Sequence, residues 1–337
     1  MKSAHRSLPD LFLNKLSRIL PASQLDRVLH TFQSAKPTTF RINTLKTTSG
    51  EAKEALESSG FKLEALHWLK GAFILKKGRL RDLEDTAFYQ EGRIYVQNLS
   101  SMVPPLVLAP QPGEKVLDLT AAPGSKTTQM AALMQNQGSI MANDNNPIRV
   151  EKLKANVERQ GCVNVEIPPA GDGGLLWKDH VEAFDRVLLD APCSSEGRFL
   201  AAEPSTYGYW KEDTNRKMAK DQRRLLKSAL RALKPQGTLV YSTCTFSPEE
   251  NEGVLQWALE TFPGDLELLP APVGFSNWMP GLSNWDGKAL DPSLKHSVRV
   301  LPDGTMEGFF VSLLRKKRTL SEEPMEPIVP NIKPPRA

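Results

Sequence analysis

Cysteine and histidine are scarce: the 337-residue chain has 3 cysteines and 5 histidines. An odd number of widely spaced cysteines argues against a disulfide framework and for a reducing, cytoplasmic setting. No cysteine or histidine pair has the spacing of metal ligands, so no metal site is expected. Long apolar runs are missing too. No uncharged stretch approaches the roughly 18 residues that span a bilayer. Met1 to Pro9 is not followed by the apolar segment of a secretory leader. Nor does charge of one sign dominate. The formal net charge of +4 tolerates a polyanionic partner without requiring one. What remains is an ordinary globular composition, 40% hydrophobic and 24% charged, with a length that suggests about two domains.

The first region mixes helix and strand signals. Leu8–Leu20 and Ser23–Phe32 have helical spacing, with Leu11, Phe12, Leu16, Ile19 and Leu20 recurring on one face. Phe40–Leu45, Phe61–Leu66 and Ala72–Leu75 read as strands, and Ser49–Ser59 as a helix stopped by Gly60. These compose a small α+β domain over residues 1–92. From Arg93, strands and helices alternate. Leu99–Leu108 is a helix, followed by strand Lys115–Thr120, helix Ser125–Gln135, strand Ser139–Asp144, helix Pro147–Gln160 and strand Val163–Ile167. Then come strand Asp185–Asp190, helix Arg216–Leu233, strand Thr238–Cys244 and helix Pro248–Glu260. This alternation predicts a doubly wound, mostly parallel α/β sheet over 93–315. Asp303-Gly304 between two strand-like runs predicts an antiparallel terminal hairpin. Residues 316–337 form a proline-rich tail.

In an open parallel sheet, ligands bind beyond the carboxyl ends of the strands. Three segments there carry chemistry. The first runs Thr120-Ala121-Ala122-Pro123-Gly124-Ser125-Lys126 from strand to helix. Its small residues allow close backbone approach, and the helix start suits an anion. It is neither a dinucleotide glycine fingerprint nor a P-loop. Asp144 follows Gly124 by about 20 residues, the offset at which an acid binds ribose hydroxyls. Asp172, after the third strand, suits an adenine amino group, and Arg149 joins this cofactor set. Each acid could equally serve as a turn or cap residue.

The other two segments hold cysteines. Asp190-Ala191-Pro192-Cys193-Ser194 ends one strand, and Tyr241-Ser242-Thr243-Cys244-Thr245 ends another. Adjacent parallel strands would bring the two thiols together. Cys162 reads as a packing residue. Ser247-Pro248-Glu249-Glu250 reads as a capping box with proline at the first helical position. The helix after the fourth strand carries Arg216, Lys217, Lys220, Arg223, Arg224, Lys227 and Arg231 around a core stripe of Met218, Leu225, Leu226, Ala229 and Leu233. It is a solvated face or an RNA track.

The chain resembles the Nop/Sun family of S-adenosylmethionine-dependent RNA cytosine-5 methyltransferases, and within it the RsmB/RsmF-like ribosomal RNA enzymes. The resemblance rests on Ala121–Lys126, Asp190–Ser194, and Tyr241–Thr245 with Pro248-Glu249-Glu250-Asn251-Glu252. It extends to Arg41-Ile42-Asn43-Thr44-Leu45-Lys46, Gln97–Met102 and Gly308-Phe309-Phe310. Ser125 and Ser195 stand where many members have glycine, and Gln236 replaces the first glycine of a common turn. The resemblance implies a class I methyltransferase Rossmann-like fold with S-adenosylmethionine as cofactor and an RNA partner, ribosomal or transfer. A soluble monomer is expected. It implies Cys244 as the nucleophile toward carbon-6 of a cytosine, Cys193 in release, and Asp190 at the ring nitrogen and beside the cofactor. The N-terminal domain would position RNA. Because an ordinary thiol titrates near 8.5, Cys244 needs activation, and Lys126 is one candidate. A DNA-cytosine or RNA-uracil methyltransferase, or a catalytically silent assembly factor on the same fold, are the alternatives.

Overall fold

The computed structural model describes residues 8–320. The prolines expected in the tail, Pro324 to Pro335, lie outside them. Two helices open the chain, α1 (Asp10–Ile19) and α2 (Ala22–Thr31). Strand β1 (Thr39–Ile42), helix α3 (Ser49–Ser58), β2 (Lys62–Ala65) and β3 (Ala72–Lys77) follow. Short helices α4 (Leu80–Glu84) and α5 (Ala87–Gln90) lead to β4 (Ile94–Val96). These strands form an antiparallel sheet in the order β2-β3-β1-β4. Leu56 of α3 covers it beside Phe40, Phe73 and Ile94.

Two features depart from the expected 1–92 unit. Strand β4 lies past Gly92, yet it pairs with β1 through Phe40–Val96 and Ile42–Ile94. Helices α1 and α2 do not share this sheet's core. Their buried Phe12, Leu16, Val28 and Phe32 pack on Phe199, Tyr207, Trp210, Phe246 and Leu301 of the second half. Helical periodicity marks a face to be buried but not the surface that buries it.

The second half begins with α6 (Leu99–Leu108), β5 (Lys115–Asp118), α7 (Ser125–Leu133), β6 (Ser139–Ala142), α8 (Pro147–Gln160) and β7 (Val165–Glu166). It continues with β8 (Phe184–Asp190), α9 (Glu212–Ala232), β9 (Leu233–Thr243), α10 (Glu252–Thr261) and β10 (Leu266–Leu269). The last elements are β11 (Trp278–Pro280), β12 (Asn284–Trp285), β13 (Lys288–Ala289), β14 (Val298–Val300) and β15 (Phe309–Lys316). Strands β9-β8-β5-β6-β7 are parallel neighbours. Strand β15 runs antiparallel against β9, with β14 and β10 in tandem on its other edge.

Both faces of this sheet are buried, as a parallel sheet requires. Val116, Leu188 and Val240 face α6, α7 and α8. Leu117, Val187, Leu189, Leu239 and Tyr241 face α9 and α10. Cys162 sits in the first of these cores, and burial raises its thiol to about 11. Among the described residues, no helix is long and apolar enough to cross a membrane.

The terminal strands β14 and β15 pair antiparallel, as expected, through a loop that holds Asp303-Gly304. Asp303 accepts the N–H groups of Thr305 and Met306, both at 2.7 Å, folding the loop on itself. Helix α10 starts at Glu252, four residues after Pro248. The expected capping box does not form, because Glu250 turns inward.

Candidate active site

The turn after β5 is shaped by Gly124, whose φ of +106° favours glycine. A Cβ there would lie 2.9 Å from Leu153 Cδ1 of α8, so the helix packs directly on the turn. Ala121 N–H donates to Asn143 O at 2.7 Å. Ala122 N–H donates to Asp144 Oδ2 at 3.3 Å. The Ala122–Pro123 bond is cis. Asp144 is buried. Its other oxygen accepts Asn146 N–H at 3.1 Å, the local turn bond expected of such an acid. Arg149 braces the wall through Asp144 at 3.2 Å and Ala122 O at 2.5 Å.

Leu119, Thr120, Asn143, Asp144, Arg149, Asp172 and Pro192 line one cleft. The expected cofactor acids thus share a cavity, but Asp172 is already engaged. Arg224 of α9 holds it by two bonds of 2.6 and 2.7 Å, which lowers its pKa below the usual carboxylate range. Arg224 also binds Asp221, and Arg231 lies over Trp177 at 4.4 Å. Part of the basic face of α9 therefore works inside the protein.

Lys126 points away from this cleft toward the thiols. Its Nζ donates to Asp190 Oδ2 and Ser101 Oγ, each at 2.7 Å. Asp190 Oδ1 accepts the Ser242 hydroxyl at 2.7 Å, and Thr120 donates to the Asp190 carbonyl at 2.8 Å. Asp190 and Ser242 are register partners on β8 and β9. One step beyond this pair, the two cysteines meet. Their sulfurs are 3.3 Å apart, both as free thiols.

The pair is asymmetric. The hydrogen bond from Cys193 pulls the Cys244 pKa below the ordinary thiol value, aided by the Ser195 hydroxyl and Arg198 against burial and the Asp190 charge. The same bond, with burial, holds Cys193 well above that value. Lys126 is bound to Asp190 rather than to Cys244. The groups that lower the Cys244 pKa are Cys193, Ser195 and Arg198, and Lys126, whose reach ends at the carboxylate, is not among them.

Two buried carboxylates that the sequence did not reveal fix the cysteine loops. Glu250 accepts Ser194 N–H at 3.0 Å, Ser194 Oγ at 2.6 Å, Asn215 Nδ2 at 2.6 Å and Gln222 Nε2 at 2.9 Å. Glu196 accepts Trp210 Nε1 at 2.9 Å, Asn215 Nδ2 at 2.8 Å and Phe246 N–H at 3.2 Å. Ser194 follows Cys193, and Phe246 lies just beyond Cys244, so each loop is tied at a fixed distance from its thiol. A faint signal existed. Asn215 and Gln222 recur at helical spacing with Ala219, Leu226 and Ala229, on the buried stripe of α9. Polar residues on such a stripe must find buried partners. Met218, expected on that stripe, is only half-buried.

The N-terminal segments clamp the same loops. Lys15 of α1 is buried and pairs with Glu249 at 2.5 Å and Ser247 at 3.3 Å. Arg41 of β1 donates to Gln97 Oε1 at 2.9 Å, Ser125 O at 3.0 Å and Thr128 Oγ1 at 2.8 Å. Asn43 bonds Gly92 O at 2.8 Å and Gln160 O at 2.7 Å. Arg41 and Asn43 thus join the first sheet to α7 and α8. Between the two halves runs a groove lined by Lys36, Thr38, Asn98, Arg198, Phe199 and Glu307, among others. Arg198 connects it electrostatically to Cys244.

Comparison with known proteins places these features in context. Residues 105–315 match the family described as 16S rRNA methyltransferase RsmB/F. Residues 8–99 match the N-terminal domain of 16S rRNA methyltransferase RsmF. Ribosomal RNA small subunit methyltransferase F of Escherichia coli O81 (strain ED1a) is 38% identical over 329 residues, covering 94% of this chain and 65% of the relative. The protein of that name from Shigella boydii serotype 18 has the same identity and coverage. The chain therefore spans about 65% of the length of these curated relatives. A methyltransferase homolog protein from Pyrococcus horikoshii superposes with a TM-score of 0.77 at 36% identity, over 92% of this chain and 100% of that one. NSun6 from Pyrococcus horikoshii, solved with SFG, shares the fold at TM-score 0.77 and 21% identity, over 93% and 99% of the two chains.

Proposed function

The chain belongs to the RsmB/F family of 16S rRNA methyltransferases, and on that premise we propose that it methylates carbon-5 of a cytosine in ribosomal RNA through a transient Cys244–pyrimidine adduct. The observation that carries this reading is the meeting of Cys193 and Cys244 at 3.3 Å beside Asp190. Two thiols and an acid at one point are what pyrimidine C5 chemistry needs. Carbon-5 is a weak nucleophile until a thiolate adds at carbon-6.

The cleft at the β5, β6 and β7 ends fits a nucleoside cofactor. It pairs the buried Asp144 with the glycine turn, where any larger residue at 124 would meet Leu153. Thr120, Ala121, Ala122, Pro123, Gly124 and Ser125 would form the floor, with Asp144, Arg149 and Asp172 around the ribose and base. S-adenosylmethionine bound there supplies the methyl group.

The remaining roles follow from the residues themselves. Cys244, its pKa lowered, adds to carbon-6. Asp190, held by Lys126 and Ser242, interacts with the cytosine ring nitrogen and stabilises the electron-rich adduct. Carbon-5 gives its proton to water in the cleft, and the electron pair left behind re-forms the 5,6 double bond as the carbon-6–sulfur bond breaks. Cys193, within hydrogen-bond reach, assists the departing thiolate. Lys126 spans the two sites, since it sits on the helix of the cofactor turn and ends on Asp190. The base must leave its stack to reach this depth. The groove past Arg198 and Lys36 suits the flanking strand, with phosphates drawing the two cations off Glu307.

The test is to incubate ribosomal RNA and S-adenosylmethionine with wild-type, Cys244→Ala and Cys193→Ser proteins. Wild type should form 5-methylcytosine, Cys244→Ala none, and Cys193→Ser a covalent protein–RNA species stable to denaturant. Methylation by Cys244→Ala would refute the nucleophile assignment. No cofactor binding by wild type would favour a silent assembly factor.

A further inference from the structure

Given the RNA substrate proposed above, on which this rests, we infer that Glu307 selects a guanine beside the target cytosine, held in the groove next to the Cys244 loop. The groove between the two halves encloses about 370 Å³, the scale of a small-ligand site. Its inner end meets the thiol site at Gly197. A Cβ there would collide with Gly308 O and lie 3.0 Å from Cys244 O. Gly308 N–H donates to Gly197 O at 3.2 Å, and Gly197 N–H donates to Cys244 O at 2.9 Å. Glu307 thus precedes a chain of backbone bonds that ends on Cys244. Its own carbonyl accepts the Ser100 hydroxyl at 2.8 Å, so the main chain that aims its carboxyl is fixed on both sides.

The groove holds two cations and a carboxylate that lacks close partners. Arg198 is exposed, and its Nε stops 3.6 Å from Glu307 Oε2, too far for a hydrogen bond. Lys36 Nζ donates to Thr31 O at 3.0 Å, and Asp303 and Glu307 are the acids near it. Glu307 is half-buried. Arg198, Lys36 and Lys126 act on its charge from a distance, and among the described residues no hydrogen bond reaches its carboxyl. Arg198 faces both Glu307 and the thiols. A phosphate on Arg198 therefore joins a base at Cys244 to a neighbouring base at Glu307.

Once a phosphate takes Arg198 and Lys36, the Glu307 carboxylate needs donors of its own, because a buried polar group without partners is costly. The base edges differ in what they offer. Guanine presents two adjacent donors, N1–H and the N2 amino group, which match the two oxygens of a carboxylate. Adenine and cytosine place a ring acceptor beside the amino group, and uracil flanks its one N–H with two carbonyls. Each of these three sets a lone pair against Glu307. Guanine is the base that leaves no such clash.

The experiment measures fluorescence anisotropy of labelled uridine nonamers that carry a central cytosine, with each of the four bases placed in turn on its 5′ side and then on its 3′ side. The full chain is used without cofactor. On one side, guanine should bind wild type about tenfold tighter than the other bases. Glu307→Gln offers one acceptor and one donor, the match for adenine, so guanine should lose its lead and adenine should gain it. Arg198→Ala should weaken all the RNAs alike and leave guanine first. The rank order of bases, unlike overall affinity, does not move with partial loss of folding. No RNA binding by wild type, no base preference on either side, or a guanine preference that persists in Glu307→Gln overturns the inference. A guanine preference in a wild type that forms no 5-methylcytosine would refute the proposed reaction and leave this recognition standing.

Discussion

Glu250 is the side chain whose replacement tests the site's construction most sharply. It is fully buried, and burial lifts its carboxyl from 4.5 to about 6. A folded-state pKa above the unfolded one means that the folded protein favours the protonated acid. The stability this contributes is complete below about pH 4.5 and is lost as pH rises through about 6. At about 1.4 kcal/mol per unit, the change is about 2 kcal/mol. Glu250→Gln removes this titration but keeps the shape. It also turns one acceptor oxygen into a donor, facing either Ser194 N–H and Gln222 Nε2 or Ser194 Oγ and Asn215 Nδ2. Each stranded buried donor costs about 1–3 kcal/mol. The variant should be less stable than wild type, and the gap should be about 2 kcal/mol wider at pH 4.5 than at pH 7.5. Urea unfolding of both proteins at the two pH values measures it directly. A gap independent of pH, or one that widens toward pH 7.5, would refute the reasoning.

Other perturbations probe the remaining supports. Arg41→Met removes hydrogen bonds to Gln97, Ser125 and Thr128. With charged-group bonds worth about 1.5–3 kcal/mol each, calorimetric titration should show weaker S-adenosylmethionine binding by about tenfold, and unchanged affinity would contradict a link from the first sheet to the cofactor turn. Gly124→Ala forces a left-handed φ on alanine and a 2.9 Å contact with Leu153; cofactor affinity should fall while the melting point drops by only a few degrees, about 1 kcal/mol. Arg299→Met strands the fully buried Glu252, its ion-pair partner, and should cost about 3–5 kcal/mol in denaturant unfolding. Adding Glu252→Gln should recover part of that loss, and no recovery would mean the pair matters through packing alone.

Much of the site was legible because strand-end motifs are local. Polar, turn-forming residues after Val187-Leu188-Leu189 and after Leu239-Val240 mark where two buried strands stop, and parallel pairing then brings Cys193 to Cys244. The glycine turn and Asp144 follow the same logic. Glu250 shows where local logic fails. Its motif has the letters of a helix cap, yet four donors from two distant segments, the Ser194 loop and α9, draw it inward. Asp172 likewise looked open to a ligand until α9 brought Arg224 across it. The terminal hairpin around Asp303-Gly304 was legible for the same local reason as the strand ends, since Asp303 folds the loop through its own side chain.

By itself, the sequence determined the order of strands and helices, the parallel sheet and the chemical groups at its carboxyl edge. Periodicity and turn chemistry act over a few residues, so they can be read without the fold. Only the tertiary structure decided which partners those groups have. It seated α1 and α2 on the cysteine loops, gave Lys126 to Asp190, and set Ser195 and Cys193 around Cys244. Such choices depend on which buried polar groups find one another across hundreds of residues. No spacing along the chain encodes that distance.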